Sequence, residues 1–126
     1  MVLIIGGVYQ GKLAYALKRF ELSEDDVYRC SIDSIGVPGN QRIVYEIDKW
    51  ILALVKEEKD TDELVSEFIA GNKGAIVIGN DISCGIVPVE PEMRIWREAT
   101  GRALAEIAQM SDEVIRLFCG IPTRLK

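Results

Sequence analysis

The apolar positions of the chain fall into two kinds of block. Short unbroken runs, Val2-Leu3-Ile4-Ile5 and Ala75-Ile76-Val77-Ile78-Gly79, have the β-branched character of strands buried in a parallel sheet. Longer stretches repeat their apolar residues every three or four positions, the spacing of one helical face. Leu13, Ala16, Leu17 and Phe20 mark a helix over 12–20. Ile43, Val44, Ile47, Ile51, Leu52 and Val55, with Trp50 beside them, mark another from 41 to about 56. Met93, Trp96, Ala103 and Ile107 mark a long one from 91 to about 110, with Pro91 in its first turn. Asp60 is placed to cap a further helix running to about 70, which Gly71-Asn72-Lys73-Gly74 closes before the strand at 75–79.

The remaining segments are shorter. Ser23 with Glu24, Asp25 and Asp26 is a cap or turn signal, and Val27-Tyr28-Arg29-Cys30 predicts a short second strand. Residues 31–40, with Gly36, Pro38 and Gly39, predict a loop that is either a substrate-facing element or a plain connection. Gly85, Ile86, Val87 and Pro88 form an apolar loop before the long helix. Asp112-Glu113 opens a last strand over 114–118, and Gly120-Ile121-Pro122 marks a turn before a short basic end. Strands alternating with helices predict a three-layer α/β domain, one domain over 1–126, with a mainly parallel sheet whose last piece is antiparallel.

The junction of the first strand and first helix carries chemistry. Gly6-Gly7-Val8-Tyr9-Gln10-Gly11-Lys12-Leu13 fits G-x-x-x-x-G-K-[ST] in all but its last letter. In such a P-loop, backbone N–H groups wrap phosphates, the lysine meets the β/γ-phosphates, and the final hydroxyl is a magnesium ligand. Leu13 cannot be that ligand. The context is right, since the helix N-terminus directs unpaired N–H groups and its positive dipole end at the loop. The expected ligand is ATP or GTP on Gly6, Gly7, Val8, Tyr9, Gln10, Gly11, Lys12 and Leu13, with magnesium put in doubt by Leu13. The plainer alternative is a glycine-rich turn with an exposed lysine.

Composition narrows the partners. The formal net charge is −5 without a basic run, which argues against nucleic acid. The initial apolar run is too short for a membrane span or a signal peptide, and no stretch approaches eighteen apolar residues, so no membrane partner and a cytoplasmic location are expected. Cys30, Cys84 and Cys119 match no zinc spacing and predict reduced structural thiols. Histidine is absent from the chain, which removes Ser-His and Cys-His nucleophiles and any nucleotidyl-histidine intermediate.

Two further sets of side chains are candidates. Asp81 follows the strand 75–79, and a carboxylate at the C-terminal end of a strand in an open α/β sheet lies in the ligand crevice. It is a candidate catalytic residue with Lys12 and a candidate magnesium ligand, direct or through water, as against a loop aspartate satisfying local N–H groups. Asp33, Glu46 and Asp48 are alternative acids. Arg94 and Arg97 are neighbours on the long helix and candidates to clamp phosphate; ion pairs with Glu92, Glu98 and Glu106 are the alternative use of its arginines.

Together these residues resemble the adenosylcobinamide kinase / adenosylcobinamide-phosphate guanylyltransferase family of cobalamin biosynthesis. Asn80-Asp81-Ile82-Ser83-Cys84-Gly85-Ile86-Val87-Pro88 is similar to its N-E-V-G-x-G-I-V-P segment, with Asp81 in place of glutamate. Arg94, Trp96-Arg97-Glu98 and Gly101-Arg102 fall where the family has an arginine, an aromatic-Arg-Asp triplet and a Gly-Arg pair. Asp112-Glu113-Val114, Gly120-Ile121 and Lys126 match its closing D-E-V…G-[IL]…K. With the opening loop, the resemblance covers about the first seventeen and last fifty residues. The chain looks shorter than members of this type, with the shortening in the middle.

The resemblance implies a P-loop NTPase-like fold, a corrinoid substrate, and a homo-oligomer, a trimer by resemblance. It implies phosphorylation of the aminopropanol hydroxyl of a cobinamide, then GMP transfer through a covalent histidine. Without histidine the second step has no carrier. Three readings stand open at this point: a cobinamide kinase without guanylyltransferase activity, a nucleotide-binding regulator without turnover, and a partner-binding descendant that no longer binds nucleotide.

Overall fold

The structure, a computed structural model, describes residues 1–82 and 90–126. Cys84 and the apolar loop at Gly85, Ile86, Val87 and Pro88 lie outside the described residues. The strands are β1 (Val2–Gly6), β2 (Val27–Arg29), β3 (Ile43–Tyr45), β4 (Ile76–Asn80), β5 (Glu113–Phe118) and β6 (Ile121–Arg124); the helices are α1 (Lys12–Arg19), α2 (Ile47–Lys56), α3 (Thr61–Gly71) and α4 (Pro91–Met110). They form one sheet in the order β2-β3-β4-β1-β5-β6, parallel except for the β5/β6 pair. The fold is a three-layer α/β, with a mainly parallel sheet.

Alternation along each strand divides the core. Leu3, Val44, Val77 and Val114 face a cluster with Ile47, Trp50, Ile51, Leu54, Phe68, Ala103 and Ile107, supplied by α2, α3 and α4. Ile4, Ile43, Ile76, Ile78, Ile115 and Leu117 face the other side, where α1 contributes Ala16 with half-buried Leu13 and Leu17. Trp50 and Phe68 are the largest fully buried side chains and meet at 5.7 Å between ring centroids. Among the described residues no helix is long and apolar enough to cross a membrane.

Two elements differ from the sequence expectation. Residues 43–45 are strand rather than the first turns of a helix, and α2 begins only at Ile47. Glu46 separates them with φ 60°, a left-handed conformation that ends the strand and turns the chain into the helix. Ile43 and Val44 are both buried because the sheet is covered on both faces, so a three-residue strand shows no polar alternation and merges with the helical pattern behind it. The basic end is also a strand. Phe118 pairs with Ile121 across Cys119 and Gly120, whose φ values of 51° and 74° give the left-handed pair that closes a two-residue hairpin. Every residue of β6 is exposed and Pro122 sits within it, as an edge strand allows.

Candidate functional site

At the C-terminal edge of the parallel strands the segment between β1 and α1 makes a tight loop over the sheet. Gly6 has no room for a side chain, since a Cβ there would stand 2.5 Å from the Leu117 carbonyl oxygen of β5. Gly11 adopts φ 81°, a left-handed conformation that suits glycine, and its carbonyl accepts the Tyr15 N–H at 3.0 Å to start α1. The first amides of a helix have no intrahelical acceptor, and Gly11, Lys12, Leu13 and Ala14 all front a cavity of about 700 Å³. Val8, Tyr9 and Gln10 line it too, with Tyr9 fully exposed at φ 62°.

Lys12 is not the exposed lysine of a plain turn. It is 5% exposed, and its Nζ donates to the Gly7 carbonyl at 2.5 Å, inside its own loop. Burial pulls its ammonium below the ordinary lysine range, while Asp48 and Glu46 pull it back up. The loop thus presents a buried cation under amide donors, an arrangement suited to a polyanion. Leu13 packs half-buried on the α1 side of the core while lining the cavity, so its position offers no hydroxyl.

The opposite wall comes from the β3–α2 corner and the end of β4. Asp48, 3% exposed, accepts the Asn80 backbone N–H at 3.0 Å and its side-chain Nδ2 at 3.2 Å. Burial raises its carboxyl above the usual range, and the two Asn80 bonds oppose that shift. From α4, Trp96 donates its indole N–H to the Asp48 carbonyl at 2.8 Å, fixing the first turn of α2 against the long helix. Glu46, Tyr45, Lys49, Arg29, Ile32, Leu52, Ile82 and Trp96 complete the described wall. Glu46 accepts from Lys49 Nζ at 3.1 to 3.2 Å.

The expected site residues are dispersed around this cavity. Asp81 directly follows β4, and its N–H donates to the Gly6 carbonyl at 2.8 Å, so its backbone adjoins the first glycine of the loop; the side chain is half-buried. Its neighbours Asn80 and Ile82 line the cavity. On α4 the wall residue is Trp96, between half-buried Arg97 and exposed Arg94, neither of which lines the described wall. Arg102 bonds Asp62 of α3 at 3.2 Å rather than a glutamate of its own helix. Sequence reasoning weighed Glu46 and Asp48 only as alternatives and gave Arg29 and Lys49 no role. The signal available for the corner was Glu46-Ile47-Asp48, two acids closely following the β-branched pair Ile43-Val44. Among the described residues no group of three or more Cys, Asp or Glu is gathered into a metal cage.

None of the curated proteins matches the chain. The sequence pattern of the cobinamide kinase / cobinamide phosphate guanyltransferase family matches residues 29–125, beginning after the glycine loop and α1 and including the middle of the chain, where the residues had suggested no likeness. With that match over most of its length, the chain belongs to the cobinamide kinase / cobinamide phosphate guanyltransferase family, nucleotide-dependent transferases of cobalamin biosynthesis.

Proposed function

We propose that the chain performs the kinase half of the family's chemistry, binding ATP or GTP on loop 6–13 and transferring the γ-phosphoryl group to the aminopropanol hydroxyl of a cobinamide. The observation that carries this is Lys12, buried beneath a glycine loop at a helix N-terminus and facing two carboxylates across one cavity. The amides of Gly11, Lys12 and Leu13 would hold the phosphates, with Lys12 leaving the Gly7 carbonyl for the β/γ-oxygens. The acceptor oxygen bonds to the γ-phosphorus, the bond to the β,γ-bridging oxygen breaks, and a nucleoside diphosphate leaves. Glu46, at the cavity edge of β3, takes the hydroxyl proton.

Magnesium demands hard oxygen donors and uses few protein ligands; Glu46 and Asp48 line the cavity, and Asp81 adjoins it between the lining residues Asn80 and Ile82. Asp81 would hold the ion with water and phosphate oxygens, and the ion would neutralise charge on the β- and γ-phosphates. Positioning and charge stabilisation supply most of the catalysis of phosphoryl transfer, so Leu13 should lower rate more than affinity. Guanylyl transfer is proposed to be absent, because the chain has no histidine to carry GMP. Leu13 also favours a second reading, a nucleotide-binding regulator without turnover.

Calorimetric titration with non-hydrolysable ATP and GTP analogues, with and without magnesium, tests the site. Magnesium-dependent binding that Lys12→Ala weakens about 10- to 100-fold, the worth of a charged hydrogen bond, supports the kinase and leads to a cobinamide phosphorylation assay. Magnesium-independent binding without phosphorylated product supports the regulator. Equal affinity in wild type and Lys12→Ala overturns the site.

A further inference from the structure

We propose that Arg29 and Lys49 form a second anion subsite, which receives the transferring phosphoryl group on the side of the cavity away from the glycine loop. The inference rests on the nucleotide site proposed above. The two cations come from different elements, Arg29 from the C-terminal end of β2 and Lys49 from the first turn of α2, yet both line the cavity that Lys12 and the loop line. β4 separates β1 from β3, and β2 lies beyond β3. The strand order therefore sets Glu46, at the end of β3, beyond the loop along the C-terminal edge of the sheet and Arg29 beyond Glu46, with Lys49 three positions after Glu46.

Three observations favour a ligand over a purely structural use. Lys49 is the third residue of α2, where a cation opposes the helix dipole; such local inconsistency is expected at functional positions rather than neutral ones. Arg29 lies over the Tyr45 ring, its Cζ 5.3 Å from the centroid, a contact that restrains the guanidinium at the cavity wall before any ligand arrives. Each cation's present partner is exchangeable. Arg29 pairs with Glu24 at 2.7 Å, both side chains exposed, and such surface pairs add little to stability; Lys49, 45% exposed, pairs with half-buried Glu46 at 3.1 Å, three residues away on the same turn. A phosphoryl group offers more, because charge-assisted and bidentate bonds are stronger than exposed ion pairs.

The subsite also answers a charge deficit. With Leu13 in place of a hydroxyl ligand, less charge neutralisation is available from the metal side of the loop, and two protein cations across the cavity supply part of it. When Lys49 turns to the phosphoryl group it releases Glu46, the carboxylate assigned to the acceptor proton.

The test separates this subsite from the loop. Wild type and the Arg29→Ala/Lys49→Ala variant are titrated with ADP and magnesium, then with ADP, magnesium and aluminium fluoride, which presents a mimic of the transferring phosphoryl group. We expect equal ADP affinity within about twofold, fluoride tightening of about tenfold or more in wild type, and loss of most of that tightening in the variant. Arg29→Lys combined with Lys49→Ala should restore part of it. Equal tightening in both proteins, no tightening in wild type, or an ADP affinity that falls as far as the fluoride complex overturns the subsite while leaving the loop standing. Failure of wild type to bind ADP at all overturns the loop reading, and this one with it. Arg29 is exposed and Lys49 half-buried; should the double variant melt early, Lys49→Gln alone carries the same comparison.

Discussion

The glycine loop is flanked by two regions built on different terms. On one side stands the β5–β6 hairpin, whose backbone does the work: Leu117 presses its carbonyl against Gly6, Gly120 donates its N–H to the Gln10 carbonyl at 3.2 Å, and Cys119 donates its N–H to the Gln10 side chain. On the other side stand the ends of β4, β3 and β2, where side chains do the work: Asn80, Asp48, Glu46, Lys49 and Arg29. The first flank fixes the loop's shape and the second supplies its chemistry. Polar side chains need satisfied partners when buried, which explains why the second flank holds the densest polar network in the cavity wall and the first holds almost none of its charge.

The largest effect is expected where the charged flank is buried. Asp48→Ala strips the Asn80 backbone N–H and Nδ2 of their acceptors in a site with almost no solvent. An unsatisfied buried donor costs about 1–3 kcal/mol, and relief of the carboxylate's own burial offsets part of the sum, so a loss of about 2 kcal/mol is expected in urea unfolding. Turnover should fall further than stability, since the first turn of α2 and the Asn80–Asp81 corner lose their common anchor. A variant within about 0.5 kcal/mol of wild type would show that the network is ornamental to folding.

Leu13→Ser comes next and asks whether the charged flank compensates for the loop. Leu13 packs half-buried from α1 onto the sheet, so serine should cost about 1 kcal/mol, a fraction of the value of a fully buried leucine. In return the hydroxyl restores the magnesium position of the motif. Magnesium should then tighten nucleotide binding by about tenfold more than it does in wild type, one charged contact's worth. No added magnesium effect would mean that the loop's geometry, and not its missing ligand, limits the metal.

The same division explains what the sequence could and could not reveal. The loop side is local: Gly6 to Leu13 is one contiguous motif between a strand and a helix, so its residues and its helix could be read directly, as could α3, α4, β1, β4 and β5. The charged flank is made by distant residues brought into register, Asp48 to Asn80 across 32 positions and Arg29 against Tyr45 across the β2/β3 pair. Such pairs require knowing that β3 exists, and β3 was hidden in a helical pattern because Glu46 turns the chain without a glycine or proline to announce it. On α4 the helical period identified the right surface but not the right residue: Trp96 reaches the cavity through its indole, with Arg94 and Arg97 beside it. The hairpin strand was missed for a different reason. A fully exposed edge containing proline has no apolar alternation to detect, and only Cys119-Gly120 at a two-residue spacing hinted at it.

Gln10→Ala gives the smallest effect and sharpens the comparison most. It removes the side-chain acceptor of the Cys119 N–H but leaves the Gln10 carbonyl and the Gly120 N–H joined. The Cys119 N–H is exposed enough for water to take the vacant place, so the loss should be near the net value of one hydrogen bond, about 1 kcal/mol, and nucleotide affinity should move by no more than about threefold. A fall of thirtyfold or more in affinity would mean that the loop depends on a side chain on its hairpin flank as well. Shape and chemistry would then not divide between the two sides.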